Sequence, residues 1–467
     1  MPLKAKISHP ALAGSQKYST STENLLKEQP GDDPDDVLFN SIYGVRSIEL
    51  NRPKKLNSLN GSMARKIIPR LQEWQKSQIA NVIVIKGAGR AFCAGGDVAA
   101  LANWNTQGPQ GQQRSVDYFG LEYKLDHLIA TYQKPYVALM DGITMGGGVG
   151  LSVHAPFRIA TENTLFAMPE TTIGFFPDVG ASFFLPRMEG QLGTYLALTS
   201  EQLKGVDVFY HGIATHYIHS SSLPDLEARL AELTFPDYIE LDARHRIINA
   251  TIEEFVTGLP AERPTISGKL RETIDSCFSE ERKSIEDIMN ALKSVEDQGD
   301  PELKTWATKI ADTIYQRSPT SVLVTLQQMR IGRQWNIAEA FQHEYNIAAR
   351  FMAHKDFVEG VTARLVRREK TRPNWQPNTF EEISAEDVAQ FFRDPPSLRL
   401  LNTVEAAQYK DYPHAWISLP QEHEVERVLR QGKYETHEEI IQHFVEARQG
   451  KQGVKEKVAE ILERKAK

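Results

Sequence analysis

Strand-like and helical apolar patterns alternate between residues 37 and 167, and this alternation restricts the fold more than any other feature of the chain. Residues 37–50 alternate apolar and polar side chains around Tyr43 and Gly44, which predicts two strands joined as a hairpin. A helical pattern follows, carried by Met63, Ile67, Ile68, Leu71 and Trp74, and then a run rich in Val and Ile at residues 80–85. Strands that alternate with helices predict an α/β layer architecture rather than a bundle or a sandwich.

The same alternation returns further along the chain. A helical pattern at residues 118–128 precedes strand-like residues 136–140, a glycine-rich turn and a short helical pattern at residues 147–154. Strand-like segments then cover residues 157–160 and 165–167. Strand signals fade after about Glu201, and helical periodicity continues at residues 223–233, 284–295, 301–315, 319–329 and 337–351.

These patterns divide the chain into four predicted parts. Residues 1–36 form a leader, residues 37–200 an α/β core, residues 201–395 a helical C-terminal region, and residues 396–467 a helical extension. In the extension, Thr436 and Glu439 have the spacing of a capping box at the start of a helix. Val454, Val458 and Ile461 mark one last amphipathic helix.

Composition and charge argue against several classes of protein. A formal net charge of −7 and a pI near 6.1 argue against a protein that binds the phosphate backbone of a nucleic acid over a wide surface. Two cysteines, Cys93 and Cys277, cannot build a disulfide framework, so we expect a reducing compartment. No apolar run approaches the roughly 20 residues that cross a bilayer, so we expect a soluble protein without a membrane span.

The leader has the charge bias of an organelle-import sequence. Lys4, Lys6 and Lys17 lie among Ser and Thr residues, and no acidic residue precedes Glu23. Arginine is absent from this stretch, so the alternative is a disordered terminal tail without a targeting signal.

Two glycine clusters each follow a strand-like run. Residues 91–97 read Ala-Phe-Cys-Ala-Gly-Gly-Asp, and residues 142–148 read Gly-Ile-Thr-Met-Gly-Gly-Gly and open a helix. Glycine lets the backbone approach a ligand with its N–H groups exposed, and a helix N-terminus adds a positive dipole. Two such N–H groups directed at one oxygen atom form an oxyanion hole. Glycines that only permit tight turns are the alternative, and neither cluster has the spacing of a nucleotide-phosphate loop.

Two carboxylates lie downstream in an otherwise apolar stretch. Glu170 ends the segment Phe-Ala-Met-Pro-Glu, and Asp178 ends the segment Phe-Phe-Pro-Asp. Desolvation among apolar neighbours raises the pKa of a carboxyl group, which suits a base or nucleophile near neutral pH. Structural roles are the alternative, with Glu170 capping the turn that follows it and Asp178 capping the helix that starts near Ala181.

Four motifs, in their order and spacing, resemble the crotonase superfamily: residues 51–53, 91–97, 142–150 and 168–170. Within that superfamily, three stretches closely resemble the 3-hydroxyisobutyryl-CoA hydrolase family: residues 133–138, 142–150 and 166–178. The resemblance continues through residues 212–216 and 357–361 and covers roughly residues 37–392. It implies a crotonase-like spiral of ββα units followed by a helical C-terminal region, and the hydrolysis of an acyl-CoA thioester.

Carried over residue by residue, the resemblance places the oxyanion-hole N–H groups at Gly96 and Gly147, and catalytic or substrate-binding carboxylates at Glu122, Glu170 and Asp178. Glu170 would attack the thioester carbonyl to give an anhydride, or would activate the water that attacks. Asp178 would bind the 3-hydroxyl group of the substrate or position water, supported by Glu122. Hydratases of the superfamily have a second acid where this chain has Gly150, so hydration of a double bond is disfavoured. We expect no metal, and no cofactor beyond the CoA of the substrate.

Two other functions fit the same motifs. An enoyl-CoA isomerase or hydratase has the same fold, although Gly150 argues against the hydratase. Some relatives of the hydrolase resemble a component of the small subunit of the mitochondrial ribosome, which implies a location in the mitochondrial matrix and a structural role. Basic residues of the extension are interleaved with acids, a pattern more typical of a solvated helix face than of an RNA contact: Lys433, Arg448, Lys451, Lys455, Lys457, Arg464, Lys465 and Lys467.

The helices of the extension carry apolar faces that something must cover: Ile440, Ile441, Phe444 and Val445, and then Val454, Val458 and Ile461. We expect the extension to be a docking element for a partner such as the ribosomal subunit, since an exposed apolar stripe marks a partner surface. The alternative is that these faces fold back on the helical region of the same chain.

Overall fold

The computed structural model describes residues 25–236, 239–395 and 397–465, so the basic part of the leader lies outside the described residues. Ten strands are found in the described ranges: β1 (Val37–Ile42), β2 (Val45–Leu50), β3 (Val82–Gly87), β4 (Ala91–Cys93), β5 (Tyr136–Met140), β6 (Ile143–Met145), β7 (Phe157–Ala160), β8 (Leu165–Ala167), β9 (Leu203–Lys204) and β10 (His216–Tyr217). They form a six-stranded sheet with the order β1-β2-β3-β5-β7-β10 and a four-stranded sheet with the order β4-β6-β8-β9.

The same ranges contain nineteen α-helices: α1 (Gly61–Lys76), α2 (Val98–Asn105), α3 (Pro109–Ala130), α4 (Gly147–Gly150), α5 (Ala181–Phe184), α6 (Leu192–Thr199), α7 (Val206–Tyr210), α8 (Leu223–Ala231), α9 (Leu241–Glu253), α10 (Gly268–Cys277), α11 (Ile285–Gln298), α12 (Pro301–Gln316), α13 (Pro319–Gly332), α14 (Ile337–Ala353), α15 (Lys355–Val361), α16 (Ala385–Ala389), α17 (Glu422–Arg430), α18 (His437–Ala447) and α19 (Val454–Lys465). None of them is long and apolar enough to span a membrane. The region after Glu201 is mostly helical, as predicted.

The six-stranded sheet separates two apolar cores. Strands β1 and β2 form the predicted antiparallel hairpin, and β2, β3, β5, β7 and β10 pair in parallel. In β3, Ile83 and Ile85 face the larger core, whereas Val82 and Val84 face a smaller core covered by α8 and α9. All four side chains are fully buried, which is why β3 is continuously apolar rather than alternating.

From β3 to β8, consecutive strands alternate between the two sheets. Strands β3, β5 and β7 lie in the larger sheet, and each is followed by a strand of the smaller sheet, β4, β6 and β8. Helical segments follow each pair before the chain enters the next one. This arrangement is the spiral of ββα units that the sequence predicted, so the predicted fold class is confirmed.

Two predicted elements differ from the structure. The helix predicted at residues 147–154 ends at Gly150, because Ser152 donates its hydroxyl to the carbonyls of Gly148 and Val149 at 2.8 and 3.2 Å and the chain turns there. The strand predicted from Ala80 starts two residues later.

The extension folds back on its own chain, so its apolar faces are not free for a partner. Val454, Val458 and Ile461 are fully buried in the larger core, and Ile440 and Phe444 are nearly so. The predicted capping box at the start of α18 is present. The prediction that another molecule covers these faces is therefore wrong, because the helical region of the same chain already covers them.

Candidate active site

Three loops meet where strands β4, β6 and β8 end. These strands are parallel neighbours, so the residues that follow them leave the same edge of the four-stranded sheet. Gly96 lies beyond β4, Gly147 opens α4 beyond β6, and Glu170 begins a short 3-10 turn beyond β8. The four-stranded sheet thus brings both glycine clusters and Glu170 together.

The N–H groups of Gly96 and Gly147 form the candidate oxyanion hole. A Cβ atom on Gly147 would lie 3.3 Å from the Gly96 nitrogen, so the two peptides are neighbours. Within the described residues, neither N–H group has a hydrogen-bond acceptor. The first loop is held by Leu59, whose N–H donates to Gly95 and whose carbonyl accepts from Asp97, both at 2.8 Å. Both N–H groups are therefore free to donate a hydrogen bond to a ligand oxygen.

Glu122 lies on α3, buried against the second glycine cluster. A Cβ atom on Gly147 would be 2.5 Å from Glu122 Oε1. One turn earlier on α3, the Tyr118 hydroxyl lies 3.2 Å from that oxygen and 3.0 Å from the Leu59 carbonyl. Burial raises the pKa of the Glu122 carboxyl well above its usual range, and the nearby Asp178 raises it further.

Glu170 reaches the loop of the second glycine cluster. A Cβ atom on Gly146, which has a left-handed φ of +45°, would be 3.0 Å from Glu170 Oε1. In the described part of the chain, the buried Oε2 has no hydrogen-bond partner. Burial raises the pKa of this carboxyl, followed by the charge of Asp178. A free carboxyl oxygen beside two free N–H groups can take a proton from water or attack a carbonyl carbon.

Asp178 is held by Tyr123, whose hydroxyl donates to Asp178 Oδ2 at 2.7 Å. Burial raises the pKa of Asp178 to about 7, although the Tyr123 hydrogen bond acts in the opposite direction. The next residue, Val179, has a φ of 55°, which costs a β-branched residue about 1–3 kcal/mol. His154 Nε2 stabilises this conformation, 2.8 Å from the Val179 carbonyl oxygen.

Two residues of the helical region, which the sequence did not single out, hold the Asp178 loop. Gln328 on α13 donates its amide to the Pro177 carbonyl at 2.9 Å. Glu344 on α14 accepts from the N–H groups of Gly180 and Ser182 at 2.7 and 2.8 Å. Burial raises the pKa of Glu344 to about 8. The one available signal was that Glu344 lies on the apolar face of a helical pattern.

The structural alternatives for the two carboxylates are wrong. The N-cap of α5 is Gly180 and has no side-chain cap, so Asp178 does not cap that helix. The turn that starts at Glu170 has Pro169 at its N-cap position and no side-chain cap either. Both acids are instead buried in the site, and hydrogen bonds from α3, α13 and α14 fix the loop that carries Asp178.

Five buried carboxyl groups share this site, since Asp126 and Glu344 join Glu122, Glu170 and Asp178. None is more than 5% exposed, and none forms an ion pair with a Lys, Arg or His of the described residues. Buried like charges cannot all ionise together, so the cluster retains protons near neutral pH. In the described ranges, no group of three or more His, Cys, Asp or Glu side chains is arranged to hold a metal ion.

A cleft of about 470 Å³ adjoins the first glycine cluster. Tyr118, Leu121 and Asp97 line it, and Asp97 directly follows Gly96. Two further cavities lie between the core and the extension around His211, away from the carboxyl cluster. Of these three cavities, the cleft at Asp97 is the one that adjoins the candidate oxyanion hole.

Comparison with known proteins places this site in a family. The enoyl-CoA hydratase/isomerase family model matches residues 45–392, which is most of the chain. The chain belongs to this family. Among solved structures, a carnitinyl-CoA dehydratase from Mycobacterium thermoresistibile superposes with a TM-score of 0.68 and 33% identity, covering 79% of this chain and 99% of that one. The predicted membership of the crotonase superfamily is thus confirmed.

Two relatives in this family carry different names. The "Small ribosomal subunit protein mS47" of Neurospora crassa is 55% identical over 100% of this chain and 92% of its own. The "3-hydroxyisobutyryl-CoA hydrolase, mitochondrial" of Danio rerio is 43% identical over 76% of this chain and 89% of its own. The roles assigned to the site residues stay predictions.

Proposed function

We propose that the chain hydrolyses the thioester of a short, branched 3-hydroxyacyl-CoA, with 3-hydroxyisobutyryl-CoA as the preferred substrate. The supporting observation is the pair of unpartnered N–H groups, Gly96 and Gly147, beside the unpartnered carboxyl oxygen of Glu170. The relative from Danio rerio, named for this hydrolase activity, adds support. The name of that relative also supports a mitochondrial location, and within the mitochondrion we propose the matrix.

The proposed reaction begins with the thioester carbonyl oxygen accepting hydrogen bonds from Gly96 and Gly147. Each donor stabilises the developing oxyanion by about 3 kcal/mol. The Glu170 carboxylate takes a proton from a water molecule as the water oxygen bonds to the carbonyl carbon. The tetrahedral intermediate collapses, the C–S bond breaks, and Glu170 gives its proton to the departing CoA sulfur.

The other two carboxylates have supporting roles in this proposal. Asp178 accepts a hydrogen bond from the 3-hydroxyl group, since Tyr123 occupies its Oδ2 atom and leaves Oδ1 for a ligand. Glu122 supports the oxyanion hole by packing, because its Oε1 atom lies against Gly147 and near the Tyr118 hydroxyl. Hydration of a double bond is disfavoured, because Gly150 has no side chain that could act as the second acid.

The test compares two reactions of the purified full-length chain. Thiol release from 3-hydroxyisobutyryl-CoA is measured beside the hydration of crotonyl-CoA at equal enzyme concentration. We expect hydrolysis to be the faster reaction. Faster hydration would contradict the proposal and would favour the hydratase or isomerase alternative.

A second candidate function is that of a structural subunit of the mitochondrial small ribosomal subunit. The observation in its favour is the 55% identity to the Neurospora crassa protein over the whole chain, including the extension. Catalysis and assembly do not exclude each other, because the candidate site is buried inside the core. Co-sedimentation of the tagged chain with mitochondrial small subunits supports this function, and its absence from those particles contradicts it.

The extension offers less basic surface for such docking than its sequence suggests. Lys451, Lys457 and Arg464 are buried and paired with Glu253, Glu189 and Glu422 of the same chain. Other basic residues, such as Lys433 and Lys455, are exposed. Any contact of the extension with the ribosomal subunit would therefore use its polar outer faces.

A further inference from the structure

Asp126 is a buried acid that the proposed reaction does not use. It lies on α3, one turn after Glu122, and is fully buried. Neither carboxyl oxygen has a hydrogen-bond partner among the residues that the structure describes. A buried polar group without a partner costs free energy, so such a group requires a ligand or an ordered water molecule to complete its hydrogen bonds.

The carboxyl group of Asp126 occupies the space next to Gly150. A Cβ atom on Gly150 would lie 2.5 Å from Asp126 Oδ2 and 2.7 Å from its Cγ. The same atom would lie 2.8 Å from the Cβ of Val179, the residue after Asp178. Asp126 thus fills the space that a side chain at residue 150 would take, and it lies beside the Asp178 loop.

The surroundings favour the uncharged form of Asp126. Glu122, Asp178 and Glu344 are the charged groups that face it, and all three are acids. Burial is the main cause that raises the pKa of the Asp126 carboxyl, and the charge of Glu122 is the next. A neutral carboxylic acid has one O–H donor, whereas ionised Asp178 is an acceptor only. The two acids together therefore match a hydroxyl group, which both donates and accepts.

We propose that Asp126 recognises the 3-hydroxyl group of the acyl chain by donating a hydrogen bond to its oxygen, while the hydroxyl donates to Asp178. This inference rests on the proposed function, because it assigns a specificity-determining residue to the same site. It makes the chain selective for hydroxylated acyl groups over acyl groups of the same shape without the hydroxyl.

Binding of two analogues tests this proposal without turnover. They are analogues of 3-hydroxyisobutyryl-CoA and isobutyryl-CoA in which a methylene group replaces the thioester sulfur. We expect the full-length wild type to bind the hydroxylated analogue at least about tenfold more tightly. Asp126→Asn keeps an N–H donor and should keep this preference. Asp126→Leu should lose it, through weaker binding of the hydroxylated analogue alone.

Stability serves as the control for these variants. Asp126→Leu replaces an unpartnered acid with an apolar side chain, so its unfolding midpoint should be unchanged or higher. If that variant does not fold, Asp126→Ala takes its place in the same comparison. The proposal is overturned if the wild type shows no preference, if the apolar variant keeps it, or if Asp126→Asn loses it.

The same data separate this proposal from the proposed function. A wild type that prefers the hydroxylated analogue but releases no thiol would disprove hydrolysis and leave the recognition by Asp126 standing. A wild type that hydrolyses 3-hydroxyisobutyryl-CoA but binds both analogues equally would leave the hydrolase function standing and disprove the role of Asp126.

Discussion

At residue 147, glycine is required by its neighbours rather than by its own backbone angles. A Cβ atom there would lie 2.5 Å from Glu122 Oε1 and 3.3 Å from the Gly96 nitrogen. Gly147→Ala should displace one donor of the candidate oxyanion hole, which reduces kcat by about a hundredfold or more. Steady-state thiol release measures this, and an unchanged unfolding midpoint shows that the variant is folded. Unchanged turnover would mean that the carbonyl binds elsewhere.

The residue scale also predicts how stability depends on pH. Folded Asp178 and Glu344 keep their protons to about pH 7 and about pH 8, whereas in the unfolded chain such groups lose them near pH 4. The folded chain therefore binds more protons, and this contribution to stability is lost as pH rises through the folded pKa values. Buried histidines have the opposite effect, because their stability contribution rises with pH, but only up to about pH 6.5, where histidines of the unfolded chain lose their protons. Burial lowers the pKa of five of them to about 4 or below: His127, His154, His216, His245 and His414.

Between about pH 6.5 and pH 8, the free energy of unfolding should therefore fall, by up to about 1.4 kcal/mol per pH unit for each proton that the folded chain still retains. Glu344→Gln removes one such proton and should make the fall less steep, and the exposed change Glu302→Gln should not. Denaturant unfolding at several pH values measures this. A wild type whose stability rises over that range would show that the cluster is ionised.

At the scale of elements, α14 decides where Asp178 lies. Glu344 accepts hydrogen bonds from Gly180 and Ser182, which fix the loop between Asp178 and α5. Glu344→Leu leaves these donors unsatisfied, so the free energy of unfolding should fall by about 3 kcal/mol and kcat by at least about tenfold. Arg350→Gln is the control on the same helix, since its exposed pair with Asp394 contributes little. Equal behaviour of the two variants would contradict this role of α14.

The sequence predicts elements well where one local signal specifies them. Strands β5, β7 and β8 have the predicted bounds, because each is a short, mostly apolar run flanked by residues that interrupt a strand. Strands β9 and β10 are only two residues long and show no periodicity, so the sequence did not predict them. Glycine clusters and acids marked the site, but the Asp178 loop depends on Gln328 and Glu344, more than a hundred residues away in sequence. Such long-range partners leave no pattern in a single chain.

At the scale of the whole molecule, the extension is part of the core. Four side chains of α19 are essentially fully buried: Val454, Val458, Ile461 and Leu462. Each contributes about 1.5–3 kcal/mol, and together they match the whole stability of a typical domain. Arg464 and Arg271 both contact Glu422, at 3.0 and 3.3 Å, which ties α19 to α10 and α17.

A chain that ends at Pro395 should therefore not fold to a soluble, active protein. A milder variant, Val458→Ala, should lower the unfolding free energy by about 1–2 kcal/mol, while the exposed Lys455→Ala on the same helix should leave it unchanged. Thermal unfolding followed by circular dichroism measures both. A truncated chain with the wild-type midpoint would show that the extension is a separate unit.

The central claim is that the buried Glu170 beside two free N–H groups hydrolyses a thioester. The most direct test is the rate of thiol release from 3-hydroxyisobutyryl-CoA by the wild type and by Glu170→Gln, with the exposed Glu232→Gln as a matched control. We expect wild-type turnover, an unaffected control, and a loss of about a thousandfold or more in Glu170→Gln, since the general base is removed. No thiol release by the wild type, or equal rates for all three proteins, would contradict the claim.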